Sequence, residues 1–342
     1  MTTTVIDAKN HSVIATLPVG TAPFSFVQSV AFSPDGKVVY VTNNDDRTVS
    51  VIDVKVHSVI ATLSVGNNPS GISFSPDGKF VYVTNTGDNP GTVSVIETKT
   101  HSVITTILVG GNSPFVVSFS QKEKFAYVTN PESGIVSVID TKTHSIISSI
   151  LIDNAPVDVV FSADGKFAYV TNNVDPGTVS VIDVKSHSLM STILVGNFPL
   201  AIALSPKEKL AYTVNNDNPG TASVIDTKTQ SLITSISVGS FPRDVAFSPD
   251  GKLVYVTNES GTVSVIDVKT HSVIATIIVG GSPIDVTFNN EGKLAYVTNF
   301  GDSTISVIDT KTHSVTSSIF VNTPVAVAFS PDGKLAYVVE GN

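Results

Sequence analysis

The sequence has no cysteine, which excludes disulfides, cysteine nucleophiles and thiolate-bound metals together. Arginine is nearly absent, since only Arg47 and Arg243 carry a guanidinium group, and the net charge of the 342 residues is -9. A protein that binds a phosphate backbone usually presents a basic face, so nucleic acid is not an expected partner. No apolar run reaches the roughly 18–20 residues that cross a bilayer, and no membrane span is predicted.

The sequence also lacks the 3.6-residue apolar periodicity of amphipathic helices. Its first residues show neither a basic region nor an apolar core, so we expect no signal peptide within this chain. It is 41% hydrophobic and only 14% charged, a composition typical of a globular protein rather than a disordered one.

What the chain does contain is one repeat. A segment resembling Tyr-Val-Thr-Asn alternates with one resembling Val-Ser-Val-Ile-Asp, and each occurs eight times. The tyrosines mark the period, which varies from 41 to 45 residues: Tyr40, Tyr82, Tyr127, Tyr169, Tyr212, Tyr255, Tyr296 and Tyr337. A period of this length is typical of β-propeller blades.

One period contains four short β-branched runs separated by turn residues. The strands predicted in it are Val245–Ser248, Leu253–Asn258, Thr262–Asp267 and Ser272–Val279. The turn between the first two contains Pro249 and Gly251, which suit the negative and positive φ values of a tight turn. Four antiparallel strands in every period predict an all-β protein.

The chain begins and ends inside a period. It starts with a third strand at Thr4–Asp7 and a fourth at Ser12–Val19, and it finishes with a first strand at Val325–Phe329 and a second at Leu335–Val339. We therefore predict a single β-propeller domain over residues 1–342, with eight four-stranded antiparallel blades. One of them is a composite blade of N-terminal outer strands and C-terminal inner strands. Such closure leaves only short, protected sheet edges.

The Tyr-Val-Thr-Asn segments, with the accompanying Ser-Pro-Asp-Gly-Lys turns, resemble the repeats of the YVTN family of β-propellers. The resemblance covers essentially the whole chain. It implies a prokaryotic protein, often extracytoplasmic or in a surface layer, and a family in which seven blades are usual. Relatives include surface-layer proteins, a periplasmic single-stranded-DNA binder and lactonase-like or lyase-like enzymes. Two copies depart from the motif, one at Tyr212-Thr213-Val214-Asn215 and one at Tyr337-Val338-Val339-Glu340.

Histidine recurs once per blade, before the fourth strand. The seven are His11, His57, His101, His144, His187, His271 and His313, and Gln230 takes the remaining place. Equivalent positions on neighbouring blades lie on the order of 10 Å apart, so this pattern predicts isolated structural side chains and no metal cluster. The aspartates that end the third strands, such as Asp53 and Asp309, are likewise expected to accept backbone N–H groups in turns.

Candidate site residues lie where the repeats differ, in the loops that lead into each first strand. In three blades the second residue after the loop proline is an aspartate: Asp158, Asp244 and Asp285. Arg243 is adjacent in sequence, and an insertion in the first loop adds Phe24 and Phe26. These six residues are the predicted ligand- or partner-binding positions at the mouth of the central channel. No catalytic residue, metal ligand or cofactor is predicted.

The loops between second and third strands are expected on the same face and are rich in Asp and Asn, for example at Asp45, Asp88 and Asp302. Their spacing does not match a calcium-binding loop, so a solvated rim is expected, with weak calcium binding or a basic protein partner as alternatives.

The favoured function is a non-enzymatic scaffold that presents its loop face and channel to another protein or a small ligand, at the cell surface or outside the cytoplasm. One alternative is a lactonase-like or lyase-like enzyme with its site at the channel mouth. Another is a single-stranded nucleic-acid binder. The aromatic platforms for it are supplied by Phe24, Phe26, Phe115, Phe198 and Phe241, but the charge balance offers no basic groove.

Overall fold

The computed structural model of the protein describes residues 2–20, 29–122, 124–152, 155–207 and 209–341. These residues form 32 strands in eight four-stranded antiparallel sheets, arranged as a ring of blades. The prediction of an all-β, eight-bladed propeller is confirmed. The only helical element in the described residues is a single 3-10 turn at Pro131–Ser133.

The strands fall into four concentric sets. The innermost are β3 (Val30–Phe32), β7 (Pro69–Phe74), β11 (Val117–Phe119), β15 (Pro156–Phe161), β19 (Pro199–Leu204), β23 (Pro242–Phe247), β27 (Pro283–Phe288) and β31 (Pro324–Phe329). The second strands are β4 (Val38–Asn43), β8 (Phe80–Asn85), β12 (Phe125–Asn130), β16 (Phe167–Asn172), β20 (Leu210–Asn215), β24 (Leu253–Asn258), β28 (Leu294–Asn299) and β32 (Leu335–Glu340).

The third strands are β1 (Thr2–Asp7), β5 (Thr48–Asp53), β9 (Thr92–Glu97), β13 (Ile135–Asp140), β17 (Thr178–Asp183), β21 (Thr221–Asp226), β25 (Thr262–Asp267) and β29 (Thr304–Asp309). The outermost are β2 (Ser12–Pro18), β6 (Ser58–Ser64), β10 (Ser102–Leu108), β14 (Ser145–Leu151), β18 (Ser188–Leu194), β22 (Ser231–Ser237), β26 (Ser272–Ile278) and β30 (Ser314–Phe320). Blades 1 to 7 run in chain order from β3–β6 to β27–β30.

Blade 8 is the composite blade, with the order β2-β1-β32-β31. Strand β1 pairs antiparallel with β32 from Thr3 opposite Val339 to Asp7 opposite Leu335. The N-terminal strands therefore complete a sheet begun by the C-terminal ones, as predicted.

The first strands begin earlier than predicted, because a bulge interrupts most of them. In blade 6, Pro242 pairs with Asn258 and the ladder resumes at Val245 opposite Val256. Two residues, Arg243 and Asp244, therefore stand in the bulge. A bulge redirects side chains, and these particular side chains point away from the regular pleat.

The second and third strands form the core and are buried on both faces, as residues of stacked blades should be. The repeat tyrosines are fully buried, and their hydroxyls form hydrogen bonds with residues of the next blade. Seven of them bond the Nδ1 atom of a histidine there, for example Tyr255 with His313 at 3.1 Å and Tyr212 with His271 at 2.7 Å. Where Gln230 replaces histidine, the Tyr169 hydroxyl donates to the Thr227 carbonyl at 3.1 Å.

The composite blade has its own polar connection. In six of the other seven blades the last asparagine of the second strand donates to two hydroxyls of the third strand; Asn258, for example, donates to Thr262 and Ser264. In blade 8 this residue is Glu340, which is buried and accepts hydrogen bonds from the hydroxyls of Thr2 and Thr4. A side chain of the C-terminal strand thus binds the N-terminal strand through two hydroxyls.

We expect Glu340→Ala to lower the free energy of unfolding by about 1–3 kcal/mol, because the buried hydroxyl of Thr4 and the half-buried hydroxyl of Thr2 lose their acceptor. Glu340→Gln keeps one acceptor oxygen and should lose less. Urea denaturation followed by circular dichroism measures both variants. Equal stability of the alanine variant and the parent would show that these hydrogen bonds do not hold the composite blade.

Candidate functional site

The protein has two chemically different faces. The loop face consists of the channel loops, which lead from one blade's fourth strand to the next blade's first strand, and of the loops between second and third strands. Hydrogen bonds tie the two sets together: the Asn67 N–H donates to Asp88 Oδ1 at 2.9 Å, and the Gly281 N–H donates to Asp302 Oδ2 at 2.6 Å. The turn face consists of the tight turns that join first to second and third to fourth strands.

Charge is divided unequally between these faces. All 18 lysines belong to the turn face, where the described residues include 14 carboxylates. The loop face and the channel mouth beneath it have only two basic residues, Arg47 and Arg243. The 12 described carboxylates on that side are Asp45, Asp46, Asp88, Glu132, Asp158, Asp175, Asp217, Asp244, Glu259, Asp285, Asp302 and Glu340. The negative charge of the protein is therefore a property of its loop face.

The structure places the three predicted aspartates in equivalent bulges at the channel wall. In each bulge the aspartate N–H is outside the strand ladder, and it donates at 3.0 Å to the threonine hydroxyl of the neighbouring second strand. In blade 6 that hydroxyl, from Thr257, also donates to the Ile284 carbonyl of blade 7 at 3.3 Å. The threonine of the repeat motif thus fixes the bulge and joins two blades.

Each aspartate also reaches the next blade through its carboxyl group. Oδ2 of Asp158 accepts the Ile202 N–H at 3.0 Å, and Oδ2 of Asp244 accepts the Val286 N–H at 3.0 Å. Oδ2 of Asp285 accepts the Val327 N–H at 2.8 Å. These carboxyls connect blade 4 to 5, 6 to 7 and 7 to 8. One oxygen of each is therefore used by the fold.

Burial sets the protonation of this group. It raises the pKa of Asp158 to about 6, against the hydrogen bonds from Ile202 and Val159. The carboxyls of Asp244 and Asp285 are hydrogen-bonded to each other, and burial raises both pKa values. The charge of Asp244 raises the pKa of Asp285 further. Two largely desolvated carboxyls in contact cannot easily both ionise, so the pair keeps a proton to a higher pH than an isolated carboxyl does.

The other predicted site residues do not complete this cluster. The guanidinium of Arg243 forms an ion pair with Glu259, in the loop between second and third strands of its own blade, and Nε lies 2.6 Å from Oε1. Phe24 and Phe26 fall within residues 21–28, outside the described residues. The structure thus brings Asp244 and Asp285 into contact, places Asp158 in the equivalent bulge of blade 4 and directs Arg243 towards the rim.

The repeated polar residues serve the fold, as predicted. Each histidine occupies a left-handed position in its turn and bonds a tyrosine of the preceding blade. Asp309 accepts the N–H groups of Lys311 and Thr312. In the described part of the chain, no group of three or more histidine or acidic side chains is placed to hold a metal ion. Nor does any helix there have the length and apolar character needed to span a membrane.

Sequence reasoning placed Phe198 and Phe241 among possible base-stacking platforms but missed how the fold holds them. Both precede a channel-loop proline and have a φ of 51°. They are 40% and 41% exposed, on neighbouring loops of the loop face. A bulky residue in the left-handed region is a genuine outlier. The sequence does contain a signal that marks these two residues. The residue before the loop proline is small or polar in the other blades, and only these two blades have phenylalanine there.

The fold and these joints define the class of protein, a β-propeller repeat protein with eight blades. The lactonase model, described as a 7-bladed β-propeller, matches residues 28–147. The cytochrome D1 heme domain model matches residues 120–246 and 240–327. Since its two matches together span more than half of the chain, the chain belongs to the cytochrome D1 heme domain family of β-propellers.

Solved structures support the same architecture. Hydrazine synthase from Kuenenia stuttgartiensis aligns with a TM-score of 0.69 and 22% identity over 85% of this chain and 97% of the other. The dihydro-heme d1 dehydrogenase NirN, in complex with DHE, aligns with a TM-score of 0.77 and 17% identity over 94% and 73% of the two chains. At these identities the likeness concerns the fold alone. A search of curated protein sequences returns no significant match.

The family name implies haem, and the residues of this chain do not fit it. Haem iron takes an axial histidine, cysteine, methionine or tyrosine. In the described residues, all histidines and tyrosines are engaged between blades on the turn side, and Met190 lies on an outermost strand, 53% exposed. The channel mouth presents carboxyls instead. No step of a mechanism is therefore derived through haem.

Proposed function

We propose that the protein is a non-enzymatic scaffold that binds another protein through its loop face. Its resemblance to YVTN propellers favours a place at the cell surface or outside the cytoplasm. In this proposal the turns set the ring, and the loops, where the blades differ, select the partner.

One observation carries the proposal. The side chains that could perform chemistry are committed to joints between blades: tyrosines to histidines, and channel aspartates to backbone N–H groups of the next blade. The exposed side chains of the loop face differ from blade to blade, and this face concentrates the negative charge. A surface that diverges between repeats while the scaffold stays constant is the usual arrangement of a binding face.

The lactonase-like alternative rests on the matched lactonase model and on the Asp244–Asp285 pair. A carboxyl that keeps its proton could act as a general acid. Against this, one oxygen of each carboxyl already accepts a backbone N–H, and the guanidinium of Arg243 pairs with Glu259 rather than with the aspartates. Nucleic acid has less support, because the exposed aromatics lie on the acidic face.

The absence of native cysteine allows a clean test of orientation. Lys269→Cys on the turn face and Ser260→Cys on the loop face are both at exposed positions, so either can carry one biotin. A displayed random-peptide library is then panned on each immobilised variant. We expect defined sequences to be enriched only when the loop face is free, with Lys269→Cys. Enrichment that does not depend on orientation, or none at all, would overturn the binding proposal.

The enzyme alternative is tested in parallel with a panel of lactones and lyase substrates. Wild type and the double variant Asp244→Asn, Asp285→Asn should both remain at the rate of buffer. Turnover by wild type that disappears in the double variant would establish the enzyme instead.

A further inference from the structure

We infer that Phe198 and Phe241 form a two-point aromatic anchor for an extended, basic polypeptide segment. The inference rests on the proposed function, because it assigns a partner class and a contact to the same loop face.

The first argument comes from the backbone. The residue before the loop proline has positive φ in every described channel loop where it can be compared. The residues at that position are Asn68, Ser113, Ala155, Phe198, Phe241, Ser282 and Thr323. The fold thus demands a left-handed residue there, and blades 5 and 6 meet the demand with phenylalanine. The left-handed region is unfavourable for an ordinary residue, and glycine or asparagine would avoid much of that cost. Strain that persists at an exposed position points to a function.

The second argument is rigidity. The Phe198 N–H donates to the Val174 carbonyl at 2.9 Å, and the Asn216 N–H donates to the Phe198 carbonyl at 3.0 Å. The Phe241 N–H donates to the Asp217 carbonyl at 3.0 Å, and the Glu259 N–H donates to its carbonyl at 3.1 Å. Each phenylalanine is therefore fixed between loops of two blades. These bonds fix the backbone, so an aromatic side chain carried on it has only its two χ angles to order on binding, which suits an anchor.

The third argument is the chemistry around the two rings. Near the two phenylalanines, Nδ2 of Asn197 donates a hydrogen bond to Oδ2 of Asp217 at 3.2 Å. The Arg243–Glu259 ion pair lies beside Phe241. The whole face is acidic, so a partner with lysine or arginine next to apolar side chains is complementary to it. Neighbouring sheets pack about 10 Å apart. This is about three residues of extended chain at 3.3 Å per residue, so one peptide segment can reach both rings.

The test uses a short fluorescent peptide in which lysine and leucine alternate. We expect it to bind the wild-type protein with an affinity that falls as salt is added. Phe198→Ser combined with Phe241→Ser should weaken binding at least about tenfold, as loss of anchor residues does. Serine already occupies this left-handed position in two other loops, as Ser113 and Ser282, so the variant should fold.

Phe320→Ser is the matched control, because Phe320 is 73% exposed but lies on an outermost strand. It should bind the peptide as wild type does. An unchanged affinity in the double serine variant would overturn the anchor while leaving the loop-face scaffold standing. Two comparison ligands are measured with the wild-type protein: a peptide of the same length in which glutamate and leucine alternate, and a neutral glucan oligosaccharide. Tighter binding of either one than of the lysine–leucine peptide would overturn the assignment of a basic polypeptide. Loss of orientation dependence in the panning experiment would instead remove the proposed function itself.

A second readout separates an anchor from a structural residue. In Phe241→Gly the relief of left-handed strain offsets the loss of the partly buried ring, so the melting temperature should stay close to that of wild type while peptide binding weakens. A large fall in the melting temperature would show that the ring serves the fold and would contradict the inference.

Discussion

Removing residues 1–19 is expected to leave a protein that is unfolded or aggregated at room temperature. The deletion removes β1 and β2, which are the two outer strands of the composite blade. Strand β32 would then expose an unpaired edge in the middle of a ring.

The packing explains why the effect should be large. Val5 lies in one apolar cluster with Val39 and Ile52 of blade 1. Ile6, on the opposite face of the same strand, lies in a cluster with Tyr296 and Ile305 of blade 7. Each fully buried side chain of this kind contributes about 1.5–3 kcal/mol. Losing several of them, together with the strand pairing, approaches the 5–15 kcal/mol that stabilises a typical domain.

Thermal unfolding and size-exclusion chromatography would measure the loss. A synthetic peptide of residues 1–19 added to the truncated protein should restore part of the melting transition, whereas a peptide with Val5→Asp and Ile6→Asp should not. If the truncated protein alone melted like the parent, the composite blade would not close the ring.

The second large effect concerns pH. We expect Asp158→Asn to become more stable relative to wild type as the pH rises from about 4 to 7, by about 2–3 kcal/mol for a pKa of about 6 in the folded protein. Asp285→Asn should change in the same direction, because burial and the neighbouring charge of Asp244 raise the pKa of Asp285.

The sign follows from proton binding. The folded pKa of Asp158 lies above its unfolded value of 3.8, so between the two values the folded protein holds more protons than the unfolded chain. Its stability must fall as the pH rises through that window. Asparagine resembles the protonated acid and does not titrate, so the variant escapes this loss.

Other groups titrate in overlapping ranges, so the measurement is the difference between variant and wild type. Burial lowers the pKa values of His11, His144 and His187, and these histidines therefore destabilise the fold as the pH drops below about 6.5. That contribution is common to both proteins and cancels. Urea denaturation at several pH values gives the difference curve.

Asp309→Asn is the control with the opposite sign. Hydrogen bonds from the backbone and hydroxyl of Thr312 lower the pKa of Asp309. Its stabilising effect is present above the unfolded pKa and is lost as the pH falls. The Asp309→Asn variant should therefore lose stability relative to wild type as the pH rises towards about 4, and the difference should stay constant at higher pH. A flat difference curve for Asp158→Asn would show that its carboxyl is not buried in the channel wall.

The sequence alone predicted the ring because its repeats combine period, turn chemistry and strand propensity. The structural role of the histidines followed from their spacing, although their tyrosine partners did not, because those contacts join different periods. The bulges were also invisible, since a strand pattern does not reveal which residues leave the ladder. Asp244 and Asp285 were rightly placed on adjacent blades, but their contact depends on how closely two inner strands approach.

Arg243 shows the limit in another way. At a bulge, the side chains of residues adjacent in sequence point in different directions. The position of Arg243 next to Asp244 in the sequence therefore did not predict where the Arg243 guanidinium lies. Phe198 and Phe241 were noticed as aromatic residues, but only backbone angles show that the fold holds them in a costly conformation. The partner depends on surface geometry that repeats cannot encode.

The pairing of β1 with β32 in blade 8 has a topological consequence. Thr3 lies opposite Val339, so the described ends meet where each of the other seven blades has a short loop between its second and third strands. A loop of the kind found at residues 259–261 could join them without disturbing any strand. The ring would then have no ends, and a new opening in any equivalent loop would give a circular permutant with the same eight blades. The order of the blades along the chain is thus separable from their order in space.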